Sequence, residues 1–160
     1  MPENFDLTYT NEQGESERIV MIHVAMAGSL ERFLSVLIEH TAGKFPIWLA
    51  PEQLRIATVS GEDEGMIKLA QEIQSKAHDL GIRAEVDTDA QSVGKKIRES
   101  IKEKVPYTLV IGDEEVETGM LKPRVRADLK VGTEDVSLPI DYFFQSLANE
   151  AWSITLKSSM

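Results

Sequence analysis

Three sets of residues combine types and spacings that can do chemistry. The first is His23, the one histidine in the stretch MIHVAMAGSLERF (21–33). Imidazole is a common metal ligand, normally with two or three partners converging on it. His40 and His78 stand at no ligand-like spacing from His23, and the chain has no cysteine. His23 therefore reads either as a satisfied strand histidine or as one ligand of a site whose other ligands lie elsewhere. The second set is Glu31-Arg32, in the first turn of an amphipathic segment. A guanidinium there suits bidentate contact with a phosphate; a solvated charge pair on a helix surface is the plainer reading. The third set is Glu115 and Arg124, on either side of Gly119. If segments 114–117 and 123–127 are strands paired around that glycine, the two side chains lie close. A carboxylate accepts from the N–H groups of a base's Watson–Crick edge, and a guanidinium donates to base carbonyls. A cross-strand salt bridge would use the same two residues equally well. The GDEE sequence at 112–115 follows a predicted strand, but it is neither a GxGxxG nor a Walker pattern, and no Ser-His-Asp arrangement is recognisable.

The totals narrow the classes. The chain has 160 residues, 42% apolar and 28% charged, which is ordinary for a globular protein. No run approaches the roughly 20 apolar residues of a membrane span, so no membrane partner is expected. MPENFDLTY lacks the basic and apolar regions of a secretory signal. The absence of cysteine fits a reducing compartment, and the expected location is the cytoplasm. Net charge is −10, which argues against a general nucleic-acid-coating protein. Residues 95–130 depart from this balance, with nine Lys/Arg against seven Asp/Glu. One mildly basic segment thus sits inside an acidic chain, and it suits either local RNA contact or ordinary solvated faces.

The elements that must position these residues follow from periodicity. Phe5, Leu7 and Tyr9 share one face, and Ile19, Met21 and His23 recur with period two across a polar stretch holding Gly14. That predicts an antiparallel hairpin. Ser29 suits an N-cap, and Leu30, Phe33, Leu34, Leu37 and Ile38 follow at helical spacing up to Gly43. Pro46 and Pro51 bracket IWLA, read as a short extended stretch. Beyond it, strands are predicted at 54–59, 82–86 and 107–111. Helices are predicted opening at Gly61-Glu62-Asp63 and running through Leu80 to Gly81, along Val93, Ile97 and Ile101, and along Ile140, Phe143, Phe144 and Leu147. Strand–helix–strand–helix–strand implies a largely parallel sheet with helices on its faces, and the later strands make it mixed. The expected fold class is therefore α/β, a three-layer mixed-sheet domain at 47–160, preceded by a hairpin plus helix at 1–46.

In this order, the pieces resemble the C-terminal part of the threonyl-tRNA synthetases. The resemblance is carried by FDLTY, by HxAxxGSxERFxxxLIEHxAGxFPxWLAPxQ, and by VGKKIRESIKEKVPYTLVIGDEEVETG. It implies that residues 1–46 are the end of a class II catalytic domain, with its third signature motif, and that 47–160 are an anticodon-binding domain. It implies that Arg32 holds ATP and that His23 is one of three protein ligands of a catalytic zinc, the other two lying in sequence this chain does not have. Zinc and ATP (with magnesium) therefore belong to the full enzyme, and none is expected bound to this fragment. Glu115 and Arg124 fall at the family's anticodon-contacting glutamate and arginine. Lys95, Lys96, Arg98, Lys122 and Arg126 are candidate contacts to tRNA phosphates. Ala90 and Ser92 stand where the family often has asparagine and lysine, with Gln91 as a neighbour that can rebuild contacts. Val24 replaces an arginine, and KPRVRADLKVGTEDVSL (122–138) departs in spacing and charge.

The resemblance implies threonine tRNA and the rest of the catalytic domain as partners. The expected function is anticodon recognition without catalysis by this chain alone; a stand-alone accessory or assembly module is the alternative. The apolar residues of the 30–38 helix need cover, which a homodimer would supply.

Overall fold

The computed structural model describes residues 2–25, 27–131 and 136–159. Met26, inside the 21–33 motif, and 132–135, inside the 122–138 segment, lie outside the described residues. The chain forms two compact units, 1–40 and 41–160.

In the first unit, β1 (Thr8–Thr10) and β2 (Ser16–Arg18) pair antiparallel, Thr8 opposite Arg18. The turn between them is built by Asn11, whose Oδ1 accepts from the amides of Gln13 and Glu15. The hairpin is shorter than its period-two pattern predicts, and His23 lies beyond it in irregular backbone. The reason is local. The chain before β1 turns at Asp6 (φ 48°), and the Leu7 amide donates back to Pro2, so nothing remains for residues after Ile19 to pair with. Helix α1 (Leu30–Thr41) forms as its spacing predicts, with the Arg32 amide donating to the capping Ser29 hydroxyl at 3.2 Å.

The second unit opens with a turn at 46–50, closed by the Leu49 and Ala50 amides on the Pro46 carbonyl, where the proline spacing had suggested extended chain. Then come β3 (Leu54–Thr58), α2 (Glu64–Asp79), β4 (Ala84–Asp87), α3 (Val93–Lys102) and β5 (Tyr107–Ile111). After these follow α4 (Asp113–Thr118), β6 (Met120–Leu121), β7 (Arg124–Val125), β8 (Leu138–Pro139) and α5 (Ile140–Trp152). The main sheet has the order β4-β3-β5-β7, parallel except for β7, and β6 pairs antiparallel with β8.

The path β3–α2–β4 steps one way along the sheet, and β4–α3–β5 steps back past β3. Right-handed crossovers then put α2 and α3 on opposite faces. Strand alternation agrees. Leu54, Ile56, Tyr107, Leu109 and Ile111 join Met66, Ala70 and Ile73 of α2 and Phe143, Phe144 and Leu147 of α5 in one core. On the other face, Ser100 of α3 hydrogen-bonds Thr108 of β5.

Two elements differ from the sequence reading. Segment 114–117 is helical. Gly112 starts α4, and its amide donates to Glu115 Oε2 at 3.0 Å. Gly119 ends the helix in the left-handed region, φ 65°. On α3, Lys96 and Ser100 are the buried residues, while Ile101 is 60% exposed. This helix lies over strand ends that offer carbonyls and a hydroxyl, so polar side chains pack inward where an apolar stripe was expected.

Candidate nucleic-acid interface

The α3 face of the sheet is only partly covered. Between α3 and the edge strand β7 lies a groove of about 570 Å³. Its floor is apolar, from Ile97, Ile101, Val105 and Val125, and five cations surround it: Lys44, Lys104, Arg124, Arg126 and Lys130. Asp128 is the one acid in the lining among the described residues. On the opposite flank of α3, toward β4, a smaller hollow of about 350 Å³ is lined by Glu85, Asp87, Asp89 and Glu99 around Arg55. One helix thus separates a basic flank from an acidic one, within a chain of net charge −10. A polyanion is attracted to the first and repelled by the second.

The residues named from sequence divide sharply. Arg124 is exposed, lines the groove, and has no ion-pair partner among the described residues. β7 runs antiparallel to β5 with Arg124 opposite Thr108. Glu115 instead sits on α4, past the carboxyl end of β5 at Ile111. The two do not pair around Gly119, because the glutamate's segment is a helix and the arginine's strand partner is β5. Glu115 is half-buried. Its Oε2 caps α4, and its Oε1 accepts nothing among the described residues, so half the carboxylate stays open to a ligand.

Of the proposed phosphate contacts, Arg98 is exposed with no ion-pair partner among the described residues. Lys95 lies 3.8 Å from Glu99, and Lys122 donates to Glu114 at 2.8 Å. The Glu114 hydrogen bond holds the Lys122 amine above its usual pKa. Both pairs are exposed and screened, so both can exchange for phosphate.

Two assignments are corrected. Lys96 is 0% exposed, and its amine donates to the Thr58 and Asp87 carbonyls at 3.0 Å each. It cannot reach a phosphate. Arg126 is occupied by the fold. Its Nε donates to Asp128 at 2.7 Å, its other nitrogens reach the Lys104 and Phe45 carbonyls, and its side chain is 7% exposed. Burial pushes the Asp128 carboxyl up, but the Arg126 guanidinium outweighs burial and holds it below the usual range. Arg126 shapes the groove wall and is not free to bind within it.

Lys104 and Lys130 fall in the mildly basic 95–130 segment but no motif singled them out, and Lys44 had no signal in the sequence. The three come from the α3–β5 turn, the chain after β7 and the linker, and only folding brings them together. In segment 88–92, Gln91 places its Oε1 out of solvent with no partner among the described residues.

In the first unit, His23 and Arg32 are exposed. No three His, Cys, Asp or Glu side chains converge as a metal site among the described residues. No helix among them is long and apolar enough to cross a membrane.

The mixed sheet, the helices on both its faces and the basic groove define the 41–160 unit as a three-layer α/β binding module. The chain belongs to the anticodon binding domain family, whose profile matches residues 53–150. It is 43% identical over 150 residues to the threonine–tRNA ligase of Carboxydothermus hydrogenoformans, covering 94% of this chain and 23% of that protein. To the threonine–tRNA ligase of Geobacter sp. it is 45% identical over 153 residues, 96% of this chain and 23% of that one. The chain thus spans about a quarter of the length of the curated relatives it matches. Among solved structures, the RNA binding domain of threonyl-tRNA synthetase from Cryptosporidium parvum superposes with a TM-score of 0.81 at 31% identity. That match covers 96% of this chain and 38% of that one. A prolyl-tRNA synthetase from the same organism gives a TM-score of 0.62 at 16% identity, covering 96% of this chain and 33% of that one, a likeness of fold alone.

Proposed function

We propose that this chain binds threonine tRNA through its anticodon, as part of a threonyl-tRNA synthetase. The observation that carries the reading is Arg124: an exposed guanidinium with no ion-pair partner among the described residues, in a basic, apolar-floored groove, on a fold shared with anticodon-binding domains. An apolar floor under a cationic rim suits an unstacked base with its phosphate. Arg124 donates to a base edge, the open oxygen of Glu115 accepts from another, and Lys95, Arg98 and Lys122 neutralise phosphates. Segment 88–92 contributes Gln91 where the family's asparagine and lysine are replaced by Ala90 and Ser92.

Residues 1–46 are, on this reading, the end of the catalytic domain. Arg32 then contacts ATP, and His23 ligates zinc. No zinc site is assembled among the described residues, and on this reading such a zinc takes its other ligands from the rest of the synthetase. The same catalytic domain covers the apolar face of α1; where that cover is missing, a second copy of the chain takes its place. The whole protein works in the cytoplasm, attaching threonine to its tRNA with ATP, and this chain alone does not catalyse threonine-dependent ATP–pyrophosphate exchange.

The test is fluorescence anisotropy with threonine tRNA and with the same tRNA carrying replaced anticodon bases, at two salt concentrations. The proposal expects weaker binding to the replaced tRNA and a steep loss of affinity with salt. Equal, salt-independent binding to both would refute it.

A further inference from the structure

Lys96 is a fully buried amine at the carboxyl ends of two adjacent parallel strands, and the proposed reading chemistry makes no use of it. Burying a cation is costly unless it is paired and hydrogen-bonded. Here the amine joins the last residue of β3, through the Thr58 carbonyl, to the last residue of β4, through the Asp87 carbonyl. The Asp87 carboxylate stands 3.5 Å away as its counter-charge. That carboxylate also accepts from the Asp89 amide at 3.1 Å, which starts the turn into 88–92.

The contacts continue outward from this point. A Cβ on Gly61 would come within 2.2 Å of the Thr88 carbonyl oxygen, so the loops leaving β3 and β4 touch backbone to backbone. From Thr58 the chain passes to Val59, whose amide donates to Ile111 at 2.9 Å. The Val59 side chain packs 3.3 Å from the place a Cβ on Gly112 would take. Gly112 in turn holds Glu115. One amine therefore stands beneath both segments that carry the proposed base contacts, 88–92 and the start of α4.

We propose that Lys96 is a positioning residue for anticodon reading: by locking the ends of β3 and β4 together it sets the placement of segment 88–92 and of Glu115 against the RNA. Lys96 touches no RNA itself. The inference rests on the function proposed above. It predicts an effect on discrimination between RNAs, where a merely stabilising lysine would change only the melting temperature.

The experiment compares the wild-type chain with Lys96→Met and with Asp87→Asn, which keeps the size and the acceptor but removes the counter-charge. Each is titrated with the threonine tRNA and its anticodon-replaced form, well below the melting temperature measured for that protein. Amide hydrogen exchange of the free proteins is followed at 88–92. The expected result is a loss of discrimination of about tenfold for Lys96→Met, the size of one good base contact. Affinity for the replaced tRNA should be nearly unchanged, and exchange at 88–92 faster. Asp87→Asn should lie between the two and decides the matter if Lys96→Met does not fold. Wild-type discrimination and wild-type exchange in the folded variants would overturn the inference. If the wild-type chain itself does not discriminate, the proposed function fails; exchange at 88–92 then still tests the lock, which is overturned if those rates do not move.

Discussion

Helices α1 and α5 have the same kind of sequence and opposite fates. Both repeat large apolar residues at helical spacing. In α5, Phe143, Phe144 and Leu147 are at most 2% exposed, packed against the sheet. In α1, Leu30 is 67% exposed, Phe33 46% and Ile38 51%, and none of the helix is buried. Periodicity states that a face needs cover, but not what covers it. The 41–160 unit satisfies its own apolar faces. The β1–β2 hairpin is held through polar contacts such as Tyr9 on Glu17 and Arg18 on Asp6, and α1 leaves its apolar face for something else.

The largest effect that can break this contrast is on stability. Phe143→Ala should cost about 3–5 kcal/mol, as buried aromatic truncations do. At concentrations low enough to keep the chain monomeric, Phe33→Ala should stay within about 0.5 kcal/mol, as exposed substitutions do. Urea unfolding of both variants measures this. Comparable losses would mean that the chain covers α1 itself, and the contrast would fail.

The second prediction concerns the groove wall. Arg124→Ala should lose about 1–3 kcal/mol of discrimination between the two tRNAs, the worth of a good base contact, with little change in stability. Arg126→Ala should do the reverse, lowering stability first, because its guanidinium ties Asp128, Lys104 and Phe45 together. Parallel tRNA titrations and thermal melts separate the two. An Arg124→Ala variant that binds like wild type would remove the residue on which the functional reading stands.

The smallest effect is a pH dependence. Asp128 is held below its usual value when folded, so its contribution is complete above the unfolded carboxylate value of about 4. It is lost as pH falls through the lower folded value. Thermal melts from neutral to acid pH should show Asp128→Asn lacking this component of the acid-side decline. A variant with the same decline as wild type would show that the Arg126–Asp128 pair contributes nothing to it.

Much of the fold was legible because its signals are local. Asp63 caps α2 by accepting from Met66 at 2.9 Å, and the core spacing of Met66, Ala70, Ile73 and Ala77 is written in the sequence. The buried strand YTLVI also forms as expected. What was not legible depends on contacts distant in sequence. Lys96 reads as a surface cation until the carbonyls of Thr58 and Asp87 are brought over it. The helix at 113–118 was missed because a six-residue helix capped by glycines has no room for a periodic pattern. The groove draws Lys44 and Arg124 from places 80 positions apart, and no spacing rule connects them. Residue chemistry and the resemblance both singled out Glu115 and Arg124, and the structure then set them on different elements.

The most direct test of the account is the mapping of amide chemical-shift changes when the chain is titrated with an anticodon stem-loop of the threonine tRNA. The prediction is one set of changes along the β7 side of α3, including Ile97, Ile101 and Arg124, and a second past the carboxyl ends of the parallel strands, at Glu115 and Gln91. The α2 and α5 face should stay silent. Changes centred on α2 and α5, or on the acidic flank at Glu85 and Glu99, would contradict it.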